Sequence, residues 1–212
     1  VAHDPNLEPA VAFVVAAAPD DSTVARDSYL ELLGDPAATW TANANHYRQF
    51  LAESLSIASP DPTFNEAFRW ATVGLDAFRV TTPGMGTGLV AGYAASADAA
   101  AATWHRENDF LRRPGYAWYF GRDAMWTAFA ADAYGGTDLT VEALSFLARY
   151  QDVDGKIAHE ISPGWTIHYD AADATPLFLL ALDHHIRATG DRELLRLLWP
   201  SVRRAMRFLE ST

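Results

Sequence analysis

The 212-residue chain contains no cysteine, few basic residues and no apolar run long enough to cross a bilayer. The missing cysteine excludes disulfides and thiolate metal sites, and with them any inference about redox compartment. Sixteen Lys and Arg stand against 27 Asp and Glu, a net charge of -11, and the basic residues are scattered except for Arg203, Arg204 and Arg207. Phosphate recognition needs a basic face, so nucleic acid is not an expected partner, and an uncharged ligand suits this balance better. The first residues, VAHDPNLEPAVAFVVAAAPDD, have no initiator Met and no basic region of a signal peptide. Their apolar stretch of about ten residues is too short for a membrane span. The chain therefore reads as soluble, without a membrane partner and with the cytoplasm the favoured compartment, and as a piece of something longer.

What is abundant is apolar: half the residues are hydrophobic, enough for a substantial core. Residues 10–18 (AVAFVVAAA), closed by Pro19, Asp20 and Asp21, suit a buried strand. A lone strand needs a sheet, so residues 1–21 read as the end of an upstream β domain; the rival reading is an alanine-rich packing segment. Residues 22–60 then supply two connector helices. The first is capped by Ser22 or Thr23 and stops at Gly34, and the second runs from about Thr39 to Ser56. Phe64, Phe68, Ala71, Leu75 and Phe78 draw one apolar stripe on a third helix.

From Thr81 to Pro114 a long loop is expected, opening with TTPGMGTGLVAG. Its glycines match neither GxGxxG nor GxxxxGK[ST], so a phosphate-binding role is disfavoured. Ala124 to Ala133 is apolar nearly all round, the pattern of a helix buried on every side. An amphipathic helix capped by Thr137 or Asp138 follows and runs through Tyr150. After the loop QDVDGKIAHEISPGWTIHYDAAD a second all-apolar helix, TPLFLLALDHHI, begins with Pro176 in its first turn. A short helix from Arg192 is expected to end at Pro200, with another amphipathic segment beyond it. The two apolar helices begin near Arg122 and Asp173, 51 residues apart. A period near fifty, alternating outer amphipathic and inner buried helices, points to a mainly α toroid of helical hairpins over residues 61–212.

Loops before the inner helices then share one end of the ring. That rim gathers Trp118, Arg122 and Asp123 with His159, Glu160, Trp165, Tyr169 and Asp173. The stretch RPGYAWYFGRDAMW sets Tyr116, Trp118, Tyr119, Phe120 and Trp126 around the charged pair Arg122 and Asp123. Flat apolar rings match the C–H faces of a pyranose, and fixed charged groups match its vicinal hydroxyls. Carbohydrate chemistry uses two carboxyls, for which Asp123, Glu160 and Asp173 are the candidates. Each has an ordinary role as well: Asp123 as the partner of Arg122, Glu160 as a solvated loop acid, and Asp173 as an N-cap. Asp152, Asp154 and Glu160 echo a calcium loop only crudely, because Lys156 interrupts the acidic pattern. His184 and His185 diverge by about 100° on a helix and do not share a metal easily. No metal or cofactor is expected.

RPGYAWYFGRDAMW, DGKIAHE, YDAADATPLFLLAL and ATGDRELLRLLWPSVRRAM, in that order over about a hundred residues, resemble successive signatures of the six-hairpin glycosidases. The chain is most similar there to the amylo-α-1,6-glucosidase (glycogen-debranching) and glucoamylase-like families. The resemblance implies an (α/α)6 toroid behind an N-terminal β-sandwich, and hydrolysis of α-glucosidic bonds with inversion. It implies that Arg122 and Asp123 bind sugar hydroxyls in the −1 subsite, beside Trp118 as a platform and Asp173 at the same rim. The family's general acid lies in a later motif resembling WKDS and its base further on, so both are expected beyond Thr212. No catalytic residue is therefore expected within these 212 residues, and the rest of the toroid, or an equivalent partner, would complete the ring. The alternative function is a non-catalytic carbohydrate-binding or helical interaction module.

Overall fold

A computed structural model describes residues 13–18, 21–92, 116–162, 164 and 166–211. The chain divides into two units, residues 1–52 and 53–212. The protein is mainly helical.

In the first unit, helix α1 (Ser22–Gly34) is capped by Asp21, whose carboxylate accepts from the Thr23 amide; the cap thus falls one residue before the expected Ser22. Helix α2 (Pro36–Glu53) begins three residues earlier than expected, because proline at a first helical position loses no hydrogen bond. Asp35 accepts from the Ala38 amide at 2.9 Å and serves that start. The expected strand is absent from residues 13–18, which form no ladder. A strand is held by a neighbour's backbone groups, and the described part of this unit offers none. Instead Phe13, Val14 and Val15 line an open apolar groove with Leu32, Pro36 and Trp40, so the segment packs on helices.

The second unit opens with α3 (Pro62–Asp76), capped by Asp61 on the amides of Thr63 and Phe64. Its apolar stripe is only partly covered. Phe64 and Ala71 are exposed, Thr72 and Asp76 are the buried positions, and Phe78 lies past the helix end. The expected loop starts instead as an antiparallel hairpin, β1 (Arg79–Thr82) with β2 (Gly86–Leu89), in the register Arg79↔Leu89 to Thr82↔Gly86. Gly84, Gly86 and Gly88 belong to this hairpin. Residues 93–115, including the alanine-rich SADAAAATW for which a helical turn would be natural, lie outside the described residues. Arg79 ties the hairpin to its surroundings through Asp138 at 2.6 Å and Asp76 and Glu142 at 3.4 Å.

Four helices make the core: α4 (Gly121–Tyr134), α5 (Thr137–Arg149), α6 (Ala174–Thr189) and α7 (Arg192–Ser211). Helices α4 and α6 lie side by side, α5 covers both, and α7 packs on α6. Small buried residues on α4, Ala124, Ala128 and Ala131, let it approach Ala174, Phe178 and Ala181 of α6, while Leu139, Leu144 and Leu147 close the layer from α5. Such interdigitation of small and large side chains is how a helical core reaches crystal-like density. Neither apolar helix is buried on every side: Trp126, Ala130 and Ala133 of α4 and Leu180 of α6 are exposed.

Helix α7 is one continuous helix through Pro200, not two segments. Leu194, Leu198, Ser201 and Ala205 are buried at spacings of four, three and four, so the stripe stays in phase across the proline. Burial of that stripe outweighs the one backbone hydrogen bond that proline removes.

Candidate functional site

The rim is built by a small sheet at the start of α4. Strand β3 (Tyr119–Phe120) pairs with β4 (Glu160–Ile161), and β4 pairs with β5 (Ile167–His168), all antiparallel. The last bond before the helix runs from the Gly121 amide to the His159 carbonyl at 2.8 Å. A Cβ at Gly121 would lie 2.2 Å from the Ala158 carbonyl oxygen, so only glycine lets the helix begin against this loop. From the other side, Thr175 in the first turn of α6 accepts from the buried Ile157 amide at 2.9 Å. The two helix starts are thereby fixed to one loop.

That placement joins Arg122 to Asp173. The Arg122 Nε donates to Asp173 Oδ2 at 2.5 Å and Nη2 donates to Oδ1 at 3.1 Å, a two-pronged bond between the first turn of α4 and the residue before α6. Two sequence expectations change here. Arg122 pairs with Asp173, not with Asp123, because adjacent helical residues diverge by about 100°. Asp173 does occupy the N-cap position, but its side chain makes no capping bond, being held by the guanidinium. The hydrogen bond from Arg122, aided by its charge, holds the Asp173 carboxyl below the usual aspartate range. Asp123 sits exposed in the first turn of α4 and has no hydrogen-bond or ion-pair partner among the described residues. It remains an open acceptor at a helix N-terminus, where the dipole favours a negative group.

Two histidine–carboxylate pairs stand beside this. His159 Nδ1 meets Asp170 Oδ1 at 2.6 Å, and His168 Nδ1 meets Glu160 Oε1 at 2.6 Å. The hydrogen bond from His159 lowers the Asp170 carboxyl. The Phe120 ring lies 5.9 Å from that of His159 and links the pairs to β3. Glu160 is thus a strand residue paired with a histidine, not a solvated loop acid. Among the described residues no group of three His, Cys, Asp or Glu is placed to hold a metal ion. The other adjacent histidines do separate: His185 is buried against Asp132 of α4 at 2.9 Å, while His184 packs on the Phe129 ring.

The aromatic residues sort differently from the reading of the sequence. Trp118 is 4% exposed and its ring faces that of Phe120 at 6.1 Å, so protein covers it. Tyr119 is in the core: its ring lies 4.3 Å from that of Phe146 and its hydroxyl bonds Thr82 Oγ1 and the Val80 carbonyl. Tyr169 donates its hydroxyl to the Tyr150 carbonyl at 2.7 Å. Trp165 lies outside the described residues. The structure thus brings together Arg122, Asp123, His159, Glu160 and Asp173. Asp170 and His168 were missed by the sequence reading; the two-residue alternation of the β5 region, opposite His159 and Glu160, is the signal that could have found them.

No protein-family profile matches the chain, and no solved structure does. Over 98 residues, 45% of the chain, it is 26% identical to an uncharacterized glycosyl hydrolase of Methanocaldococcus jannaschii. The matched stretch spans 16% of that relative's length, so what this comparison gives is a distant likeness to part of a glycosyl hydrolase.

Proposed function

We propose that this chain supplies the sugar-positioning part of a glycoside hydrolase acting on α-glucosidic bonds of oligo- or polysaccharide, of the debranching or glucoamylase-like kind. In this reading α4 and α6 are inner helices of an (α/α)6 toroid, and inversion is the stereochemical course. One observation carries it: Arg122 is locked to Asp173 across two helix starts, and Asp123 is left open beside them. A guanidinium already satisfied on one edge presents its remaining N–H groups in a fixed direction. The free carboxylate accepts from a pair of hydroxyls. Both groups are set before any ligand arrives, which limits the ordering that binding demands. Hydrogen bonds to sugar hydroxyls that strengthen as charge develops at the anomeric carbon then lower the barrier. We assign neither the acid nor the base to the described rim.

The test is calorimetric titration of the protein with maltotriose, with released glucose and its anomer followed by NMR. Asp123→Ala should weaken binding by roughly tenfold or more, as expected for losing a charged hydrogen-bond acceptor. Equal affinity in the wild type and this variant would remove Asp123 from the site. Binding without hydrolysis is the expected outcome for a rim that carries neither the acid nor the base, and no binding at all would overturn the reading.

A further inference from the structure

Resting on that sugar-binding reading, we infer that Trp126, not Trp118, is the platform on which the bound sugar stacks. Trp126 is 60% exposed, whereas Trp118 is covered by protein. It follows Asp123 by three positions and Arg122 by four on α4, the two spacings that place side chains on one helical face. Helical Cα–Cβ bonds tilt toward the N-terminus, which favours an indole directed toward the turn that carries Arg122 and Asp123. The residues that carry the flat apolar surface and the open carboxylate thus stand three positions apart, about 4.5 Å along the helix axis. A pyranose lying on the indole by its C–H face would turn its rim of hydroxyls to Asp123 and Arg122.

The ring is also supported from behind. Phe129 lies 5.6 Å from Trp126, tilted by 50°, and Phe129 in turn meets His184 of α6 edge-on at 5.1 Å. This row of rings braces the indole against both helices. Ala130, one turn further along the same face, is exposed and too small to block it. An aromatic residue braced on one side and open on the other suits a neutral sugar ring, which contributes dispersion and little charge.

The protein labelled with 5-fluorotryptophan gives one fluorine resonance for each of its seven tryptophans, and Trp126→Phe identifies the one from Trp126 by its disappearance. Titrating maltotriose should shift that resonance saturably. Trp126→Ala should weaken maltotriose binding by roughly tenfold, with Trp126→Phe retaining most of the affinity. Because the side chain is largely exposed, the melting midpoint should stay within a few degrees of wild type. If Asp123→Asn weakens binding while the Trp126 resonance stays still in the wild type, the platform assignment is wrong and the sugar-binding reading survives. A shift in melting without a change in affinity would make Trp126 a packing residue only. Failure of the wild type to bind maltotriose at all overturns both. The titration itself is read on the wild-type sequence; only the assignment needs Trp126→Phe, a conservative change at a largely exposed side chain that should leave the fold intact.

Discussion

Asp173 shows how one residue can be read correctly for place and wrongly for role. Its position before an apolar helix made capping the natural expectation, but the carboxylate is taken by Arg122, fifty-one residues away. The consequence is a pH dependence with a defined sign. Its native pKa is depressed, so its contribution is present above the ordinary aspartate value of about 3.9 and is lost as pH falls through the lower native value. The carboxyl carbon of Asp173, followed by NMR, should therefore titrate below about 3.9, and should return toward that value in Arg122→Ala. A midpoint at or above the ordinary value in the native protein would mean that the pair does not form in solution. At this same scale Asp123, identical in chemistry and adjacent to Arg122, stays open because helical geometry turns it away from the guanidinium's bonded edge.

Elements are joined here by a few polar devices set in an otherwise apolar interface. Between α4 and α6 the buried His185 and Asp132 meet at 2.9 Å, both side chains almost fully covered. His185 Nε2 and Asp132 Oδ2 are buried without a hydrogen-bond partner among the described residues. Removing one member strands the other in a low-dielectric interior. Asp132→Ala should therefore destabilise the protein by about 3 kcal/mol, measured by chemical denaturation. A loss under about 1 kcal/mol would mean that water already reaches the pair. Helix α7 is held to the core in a different way. The turn at Gly155 presses on its backbone so closely that a Cβ would lie 2.1 Å from the Arg204 carbonyl oxygen, and φ there is +100°. Gln151 donates to the Ser201 carbonyl and accepts from Arg204 Nε, each at 3.0 Å. These contacts follow Pro200 directly, and they help explain why the helix continues where the sequence suggested a stop.

The two units differ in how much of the molecule they hold together. Helices α1 and α2 bury no side chain, and Trp40 is 75% exposed, whereas the core residues named above belong to residues 53–212. A protein beginning at residue 53 should therefore keep the helical circular-dichroism signal of α3 to α7 and unfold cooperatively. Loss of that cooperativity would show that the first unit contributes to the core. The described helices include none that is long and apolar enough to cross a membrane.

By itself the sequence determined most of the helices, their approximate ends and the gathering of Arg122, Asp123, His159, Glu160 and Asp173 at one rim. Periodicity, prolines and glycines act locally, within a turn or two, and the fifty-one-residue spacing already brought Arg122 and Asp173 to one end. It could not determine which carboxylate Arg122 takes, that TTPGMGTGLV closes as a hairpin, that residues 13–18 lie on helices, or that α7 runs through Pro200. Each of these depends on which neighbour covers a group, and that is settled only when distant segments meet. The same holds for the aromatics. Trp118 and Trp126 are chemically alike and eight residues apart, yet tertiary packing covers the first, which precedes β3, and leaves the second on the uncovered side of α4.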